Sequence, residues 1–320
     1  MQLIYNKIFL KHKTISHPEC PERLAYFDEN LKETKLENGE KYLNLIYNKN
    51  YIQSIKNTSK NEANLDTDTY TNKFSYEAAC FAVAAAIKVS EKNNFSLGRP
   101  PGHHATKNKA MGFCLFNNIA IAAQNLVNKG KKVFIIDFDG HHGNGTQDIF
   151  YGTDKVLYLS THQFPAYPGT GWIKEIGTDK GKGFTINIPM PTFTSDDLFL
   201  EILNKIIPII KNEFNPDIVG VSAGFDAHHS DPLLQLNLTT NAFYEVGKLL
   251  NKNFKNIFVS LEGGYNLNYI HKNIIDFVNG IDNKNQSYKE ESTKSDNDVA
   301  NDFKLRISIL KEKLKPYLKL

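Results

Sequence analysis

The sequence has few cysteines, little excess charge and no long apolar run, and each of these three absences argues against a class of protein. The three cysteines, Cys20, Cys80 and Cys114, form no C-x-x-C pair, which argues against a disulfide framework and a thiolate zinc site and favours a reducing compartment. The net charge is only +3, without a dense block of Lys and Arg in residues 1–270, so a dedicated nucleic-acid binder is not expected.

Membrane insertion and secretion are not expected either. No stretch approaches the ~20 consecutive apolar residues of a membrane span, and the N-terminus shows no cationic region followed by an apolar run. The 41% of hydrophobic and 23% of charged residues are typical of a soluble globular protein. We therefore expect a cytoplasmic protein whose partners include neither nucleic acid nor membrane.

What the sequence does contain is an alternation of apolar runs with helix-like segments. The runs are nearly continuous, as expected of strands buried on both faces of a parallel sheet, and they cover residues 131–137, 155–161, 183–189, 217–224 and 256–264. The helical segments cover 75–93, 117–130 and 194–214. Pro208 is expected to kink or interrupt the last of these. The alternation predicts a doubly wound α/β fold with a mostly parallel sheet.

The chain is expected to form one domain over residues 1–280 with a C-terminal extension. Residues 281–298 are mostly polar, which is typical of a linker or loop. Residues 299–320 are predicted to form an amphipathic helix that packs on the domain or on a partner subunit, so a homo-oligomer stays open. Its apolar positions recur at helical spacing: Val299, Phe303, Ile307, Leu310 and Leu314.

The stretch IIDFDGHHGNG, residues 135–145, places acidic and imidazole side chains directly after an apolar run. In an extended strand Asp137, Asp139 and His141 share one face, while the residues between them and His142 point the other way. Two buried carboxylates are costly without a compensating cation, which indicates a divalent metal. The alternative is that Asp137 caps the following turn and the histidines face solvent.

A further buried strand leads to Asp226. Because ligands gather outside the carboxyl ends of parallel strands, Asp226 is predicted to join Asp139 and His141 around one ion. A site with three protein ligands keeps a position open for water or substrate, which is typical of catalysis. His228 and His229 are rival ligands, or else loop residues that face solvent or contact substrate.

Two more segments carry groups that suit acid–base chemistry. Residues 100–102, Pro-Pro-Gly, stiffen a turn that delivers His103 and His104. One imidazole is suited to take a proton from water while the other binds a carboxylate. Tyr265 follows a Gly-Gly turn, and its hydroxyl is suited to donate to an oxyanion. Each segment alone is also consistent with a polar loop or a surface aromatic residue.

Taken in order, these segments resemble the zinc-dependent histone deacetylase and acetylpolyamine amidohydrolase family. The matching motifs span roughly residues 15–270: HPECPERL, SYEAA, RPPGHHA, GFCLFNNIAIAA, DFDGHHGNGTQ, PAYPGTG, SAGFDAH and EGGYN. The resemblance implies the three-layer arginase/deacetylase-like α/β fold, with residues 1–280 as the catalytic domain. It also implies a hydrolase that removes an acyl group, chiefly acetyl, from a lysine side chain or a polyamine.

The resemblance implies a role for each site residue. Three residues would bind one zinc ion per chain: Asp139, His141 and Asp226. His104 would be the general base and later the acid, and Asn144, typical of the class II-like branch, would orient it. His103 would be an electrostatic partner oriented by Asp137. Tyr265 would hydrogen-bond the substrate carbonyl and the oxyanion.

Structural potassium ions and an acyl-lysine channel are also implied. One potassium ion would lie near Asp137, Asp139, His141 and Ser160, and a second near Phe150, Thr153, Val156 and Phe184. The channel would be lined by Gly112, Phe113, Tyr167 and Gly264. Tyr167 stands where an opposing Phe is usual, and either Asp66 or Asp68 is expected near the rim.

The expected partner is an acylated lysine peptide, an acylpolyamine or a related small amide. Two other interpretations stay open. A two-manganese ureohydrolase-like enzyme of similar fold would need extra ligands and metals ~3.5–4 Å apart, and one zinc per chain would exclude it. A binding module would hold acylated ligands without hydrolysing them.

Overall fold

A single parallel sheet forms the centre of the molecule. The computed structural model describes residues 1–14 and 16–319, and seven strands occur among them. They are β1 (Leu3–Ile4), β2 (Phe95–Ser96), β3 (Val133–Asp137), β4 (Val156–Gln163), β5 (Thr185–Met190), β6 (Ile218–Ala223) and β7 (Ile257–Leu261). Their order in the sheet is β1-β2-β7-β6-β3-β4-β5, and every neighbouring pair is parallel. The α/β fold is thus confirmed, with a wholly parallel sheet.

The five long strands lie within the predicted apolar runs or extend them slightly, because β3 to β7 are buried along their whole length. Strands β1 and β2 have two residues each, which is too short for a periodic pattern. The register sets Asp137 of β3 between Ser160 of β4 and Ser222 of β6. The carboxyl ends of these strands therefore meet where the acidic residues emerge.

Nine α-helices flank the sheet within the described residues. They are α1 (Ala25–Asn30), α2 (Lys49–Lys60), α3 (Ser75–Ser90), α4 (Asn118–Asn128), α5 (Asn144–Phe150), α6 (Asp196–Glu213), α7 (Thr240–Asn253), α8 (Ile270–Ile281) and α9 (Asn297–Leu314). Short 3-10 helices cover Lys7–Lys11, Pro21–Leu24, Glu40–Leu45 and Asp179–Gly181. The expected interruption at Pro208 does not occur in α6, because Ile206, Ile207 and Ile210 hold the helix in the core on both sides of the proline.

Helix packing fixes the strand ends from which the site projects. Helices α3 and α4 pack on each other, and together they contact β2, β3, β6 and β7. Helices α7 and α8 also pack on each other. Their rings Phe243 and Phe277 lie 5.9 and 5.2 Å from that of Phe138, the residue after β3. The aromatic contacts anchor the chain at the point where it leaves the sheet.

The C-terminal extension lies against the domain. In residues 282–298, the Thr293 hydroxyl donates to the Asn237 carbonyl at 2.5 Å. Helix α9 begins at Asn297, two residues before the predicted start at 299, with Asp296 as its N-cap, and it ends at Leu314. It contacts β5 and buries Phe303, Leu310 and Leu314. Leu320, in the predicted helix, lies outside the described residues.

Within the described residues no helix is both long and apolar enough to cross a membrane. The cysteines Cys20, Cys80 and Cys114 are all thiols. The cytoplasmic location and the absence of nucleic-acid partners stay predictions.

Candidate active site

The loops after β3 and β6 bring two carboxylates and one imidazole together. Asp139 and His141 follow β3, and Asp226 follows β6. One ligand atom from each lies within 4.8 Å of the others. Nδ1 of His141 is 2.7 Å from Oδ2 of Asp226 and 3.4 Å from Oδ1 of Asp139. The structure therefore assembles the three residues predicted to bind metal.

Asp139 and His141 do not reach the site by the alternation of side chains along a strand that the sequence predicts. Strand β3 ends at Asp137, so a turn and not the pleat places Asp139 and His141. The N–H of Asp139 donates to Oδ1 of Asp137 at 3.2 Å, and the N–H of His141 donates to Oδ1 of Asp139 at 2.9 Å. These side-chain contacts fold the loop over the strand end. His142 lies outside the cluster, with its Nδ1 2.7 Å from the Thr170 hydroxyl.

Three glycines let the backbone approach the two carboxylates closely. The N–H of Gly263 donates to Oδ2 of Asp139 at 2.7 Å, and the N–H of Gly140 donates to Oδ1 of Asp226 at 2.6 Å. A Cβ on Gly224 would lie 1.9 Å from Oδ2 of Asp139. Only glycine therefore fits at position 224 without displacing the carboxylate.

The electrostatics of the cluster suit a divalent cation. Burial and the charge of Asp139 raise the pKa of Asp226. Burial opposes the charged form of His141, but Asp226 and Asp139 outweigh it and raise its pKa to about 10. The His141 proton is thus the counter-charge to two buried carboxylates, a role that a metal ion can take over. One imidazole and two carboxylates, with a fourth position open, form a donor set that fits zinc.

The neighbouring histidines His103 and His104 have different partners. Nδ1 of His103 is 3.1 Å from Oδ2 of Asp137, and Nδ1 of His104 is 2.8 Å from Oδ1 of Asn144. Burial opposes the charge on His103, but nearby carboxylates raise its pKa to about 10. Burial and the charge of His103 lower the pKa of His104 well below its usual range. The pair therefore combines one charged and one neutral imidazole.

Tyr265 lies at the edge of the same cluster. It follows Gly264, whose φ of +114° favours glycine. The Tyr265 ring is 5.0 Å from the Arg23 guanidinium and 5.7 Å from the ring of Phe113. Its N–H donates to Oδ2 of Asp231 at 2.7 Å. Burial raises the pKa of Tyr265 well above its usual range, so the hydroxyl keeps its proton and is a hydrogen-bond donor.

Comparison with known proteins identifies the family. The family model described as "Histone deacetylase domain" matches residues 17–281. The chain belongs to the histone deacetylase family. It is 36% identical over 310 residues to a "Probable deacetylase" of Archaeoglobus fulgidus, with 88% of this chain and 86% of that protein covered.

A plant relative and a solved structure agree with this assignment. The chain is 34% identical to "Histone deacetylase 14, chloroplastic" of Arabidopsis thaliana, with 86% of this chain and 75% of that protein covered. It is 30% identical to the chain in the crystal structure of the HDA15 HD domain, with a TM-score of 0.87 and coverage of 97% and 94%. The resemblance seen in the motifs is confirmed.

In this histone deacetylase family member, the predicted channel residues border the site. Gly112 has a φ of +56°, and a Cβ there would lie 2.4 Å from Cδ2 of His104. The Tyr167 ring is 5.2 Å from that of His104, and the Phe113 ring is 4.4 Å from that of His17. Gly264 holds the turn before Tyr265. Their contact with substrate stays a prediction.

The two rim candidates, Asp66 and Asp68, differ in their surroundings. Oδ1 of Asp66 accepts hydrogen bonds from the N–H groups of Asp68 and Thr69, at 2.9 and 2.6 Å. Asp68 is exposed. Burial raises the pKa of Tyr167, and the charges of Cys114, Asp66 and Asp68 add to the rise. Contact of either aspartate with a substrate stays a prediction.

A buried ion network supports the site, and the sequence analysis did not assign it. The Glu19 carboxylate pairs with Arg99 at 2.5 Å and with Arg23 at 3.1 Å. Arg23 in turn donates to the Gly264 carbonyl at 2.7 Å, which ties the network to the turn before Tyr265. The motif HPECPERL contains Glu19 and Arg23, but nothing in its spacing indicates what these residues contact.

Glu262 and Tyr158 also support the histidines and were missed. Oε2 of Glu262 accepts the N–H groups of Gly102 and His103, at 2.7 and 3.1 Å. The Tyr158 hydroxyl donates to Oδ2 of Asp137 at 3.0 Å. Glu262 precedes the predicted Gly-Gly turn, so an acidic residue at a strand end was the available signal.

The remaining predicted residues lie next to the site or away from it. Ser160 Oγ is 2.8 Å from Nδ1 of His162. The residues of the second potassium prediction lie at the end of α5, between α5 and β4, at the start of β4 and just before β5: Phe150, Thr153, Val156 and Phe184. Potassium binding stays a prediction. The rival ligands His228 and His229 contact Glu290 instead of Asp226.

Proposed function

We propose that this protein is a zinc-dependent amidohydrolase that removes an acyl group, chiefly acetyl, from a lysine side chain or a polyamine. One observation carries the proposal. His103, paired with Asp137, and His104, paired with Asn144, lie beside the cluster of Asp139, His141 and Asp226. Membership of the histone deacetylase family supports the same reaction class.

Asp139, His141 and Asp226 would hold the zinc ion. When bound there, zinc would polarise the scissile carbonyl and lower the pKa of a water molecule. The carboxylates are kept in place by the N–H groups of Gly263 and Gly140, so little reorganisation is needed on binding. This fixed geometry is what a catalytic metal site requires.

Asn144 prepares His104 to act as a base. Its Oδ1 can only accept a hydrogen bond, which fixes the His104 proton on Nδ1 and leaves Nε2 with a lone pair. Nδ2 of Asn144 lies 3.5 Å from the Met111 sulfur, which supports this orientation of the amide. In the proposed reaction Nε2 of His104 takes a proton from the attacking water and delivers it to the leaving nitrogen.

His103 and Tyr265 would stabilise the negative charge that develops on the carbonyl oxygen. The ion pair with Asp137 keeps His103 positively charged. Tyr265 is protonated and donates its hydroxyl hydrogen to the same oxygen. Phe113 and Tyr167 supply aromatic walls for a linear acyl amide, so an acyl-lysine peptide, an acylpolyamine or a related small amide is the proposed substrate.

The test is hydrolysis of acetyl-lysine peptides and acetylated polyamines by the purified protein. We expect activity to be lost on chelation and restored by zinc. Tyr265→Phe removes one oxyanion donor and is expected to lower kcat by ~10²–10³-fold. Tyr317→Phe changes an exposed tyrosine and is the matched control, with unchanged activity. Hydrolysis that persists both after chelation and in Tyr265→Phe would contradict the proposal.

A further inference from the structure

A second group of metal-binding side chains lies where the C-terminal extension meets the domain. Nε2 of His228 is 3.0 Å from Oε2 of Glu290, and Nε2 of His229 is 3.2 Å from Oε1. One ligand atom from each residue lies within 4.8 Å of the others. We propose that His228, His229 and Glu290 form a second site for a divalent transition metal, separate from the cluster around Asp139.

The donor set and its spacing fit such an ion. Two imidazoles and one carboxylate are zinc ligands. Tetrahedral zinc with bonds of about 2.0–2.1 Å sets its ligand atoms about 3.3–3.5 Å apart, so the observed contacts need to open by only a few tenths of an ångström. The His229 side chain is 37% exposed, which gives the ion a path from solvent.

The hydrogen bonds around the proposed ligands also suit metal binding. Oε2 of Glu290 accepts the N–H of Thr240 at 2.7 Å, which holds the carboxylate beside the two histidines. For Nε2 of His228 to bind a metal, the single proton of the neutral ring must lie on Nδ1. The Ser230 hydroxyl, 2.8 Å from Nδ1, can then accept a hydrogen bond from Nδ1–H and orient the ring.

The site joins two parts of the chain that the family assignment does not connect. Glu290 lies beyond residues 17–281, which the family model matches. The histidines lie in the loop between β6 and α7, and the same loop carries Asp231, which accepts the N–H of Tyr265. A bound metal would therefore hold residues 282–298 against this loop. Without metal, the Glu290 contact to Thr240 N–H at 2.7 Å supplies part of the same attachment.

The experiment counts zinc ions in the full-length protein. Wild type and variants are stripped with a chelator, loaded with zinc, desalted and analysed for zinc per chain. His229→Ala and Glu290→Gln each remove one proposed ligand. His271→Ala and Glu291→Gln change a histidine and a glutamate nearby that belong to neither cluster. Because the His229 side chain is partly exposed, His229→Ala is expected to fold normally. It therefore still tests the site if Glu290→Gln fails to fold.

We expect His229→Ala and Glu290→Gln to hold one zinc fewer than wild type, and the two control variants to hold as many as wild type. Zinc should also raise the Tm of these two variants less than that of wild type. Equal zinc content in wild type and His229→Ala would overturn the inference. Hydrolysis of acetyl-lysine peptide is measured on the same samples. If wild type does not hydrolyse the peptide, the proposed function is contradicted. The difference in zinc content between wild type and the variants would still show whether His228, His229 and Glu290 bind zinc.

Discussion

The chain contains the dipeptide His-His in three places, and two of them show how partners decide the role of an imidazole. His103 and His104 are both buried, and each has its own partner, a carboxylate for one and an amide for the other. His228 and His229 share a single carboxylate, that of Glu290. The first arrangement separates charge between two rings, as acid–base catalysis needs. The second brings two ring nitrogens to the two oxygens of one carboxylate, a grouping that suits metal binding.

This comparison shows that sequence neighbours do not define a histidine site. The partners lie 34 and 40 positions from the first pair, and 62 and 61 positions from the second. Both pairs follow turns at strand ends. The sheet topology brings Asp137 and Asn144 to the first pair, and the C-terminal extension brings Glu290 to the second.

Alanine substitution in each pair gives the sharpest contrast. His104→Ala removes the proposed base and is expected to lower kcat by ~10²–10⁴-fold. His229→Ala is expected to leave kcat within about twofold, because the partly exposed His229 side chain contacts Glu290 and Tyr269 and not the proposed catalytic residues. Steady-state hydrolysis of an acetyl-lysine peptide measures both. A comparable loss of kcat in the two variants would contradict the assignment of a catalytic role to the first pair alone.

Asn144→Asp makes the partners of the first pair alike. A carboxylate beside Nδ1 favours the charged imidazole and should raise the pKa of His104 by ~1–3 units. More His104 is then protonated at a given pH, so the acid limb of the kcat/KM profile should move to higher pH. Asn301→Asp, an exposed asparagine-to-aspartate change on α9, controls for added charge. An acid limb that stays in place or moves to lower pH would contradict the assignment of His104 as the base.

Glu290→Gln removes the charge that the second pair shares, and its effect on metal-free protein should be small, about 1 kcal/mol of unfolding free energy. Because the pKa of Glu290 is depressed to about 2, its contribution is present above the pKa of an unfolded glutamate, about 4.3. The contribution disappears as pH falls towards 2. Denaturant unfolding at several pH values should show this convergence of wild type and variant. A difference that persists at pH 2 would refute it.

The parts of the molecule with local, regular patterns were predictable from the sequence. The five long strands were recognised because they are buried on both faces and rich in Val, Ile and Leu. Strands β1 and β2 were missed because two residues carry no period. The continuity of α6 through Pro208 was missed because burial of the neighbouring isoleucines outweighs one lost hydrogen bond.

The site was predictable in its residues but not in its geometry. Asp139, His141 and Asp226 were recognised by chemistry and position, yet a turn and not strand alternation joins them. The support from Glu19, Arg99 and Glu262 depends on contacts across 80 to 160 positions, which no local pattern reveals. Glu290 was assigned to a polar linker from the composition of its segment, which does not reveal its partners His228 and His229 in a distant loop.

The most direct test is zinc titration of the stripped His229→Ala protein, in which only the cluster of Asp139, His141 and Asp226 is expected to bind the metal. Hydrolysis of acetyl-lysine peptide is measured after each addition. We expect no hydrolysis without zinc, a rise in proportion to added zinc, and a plateau at one equivalent per chain. Hydrolysis before zinc is added, or none after one equivalent has bound, would contradict the proposed function.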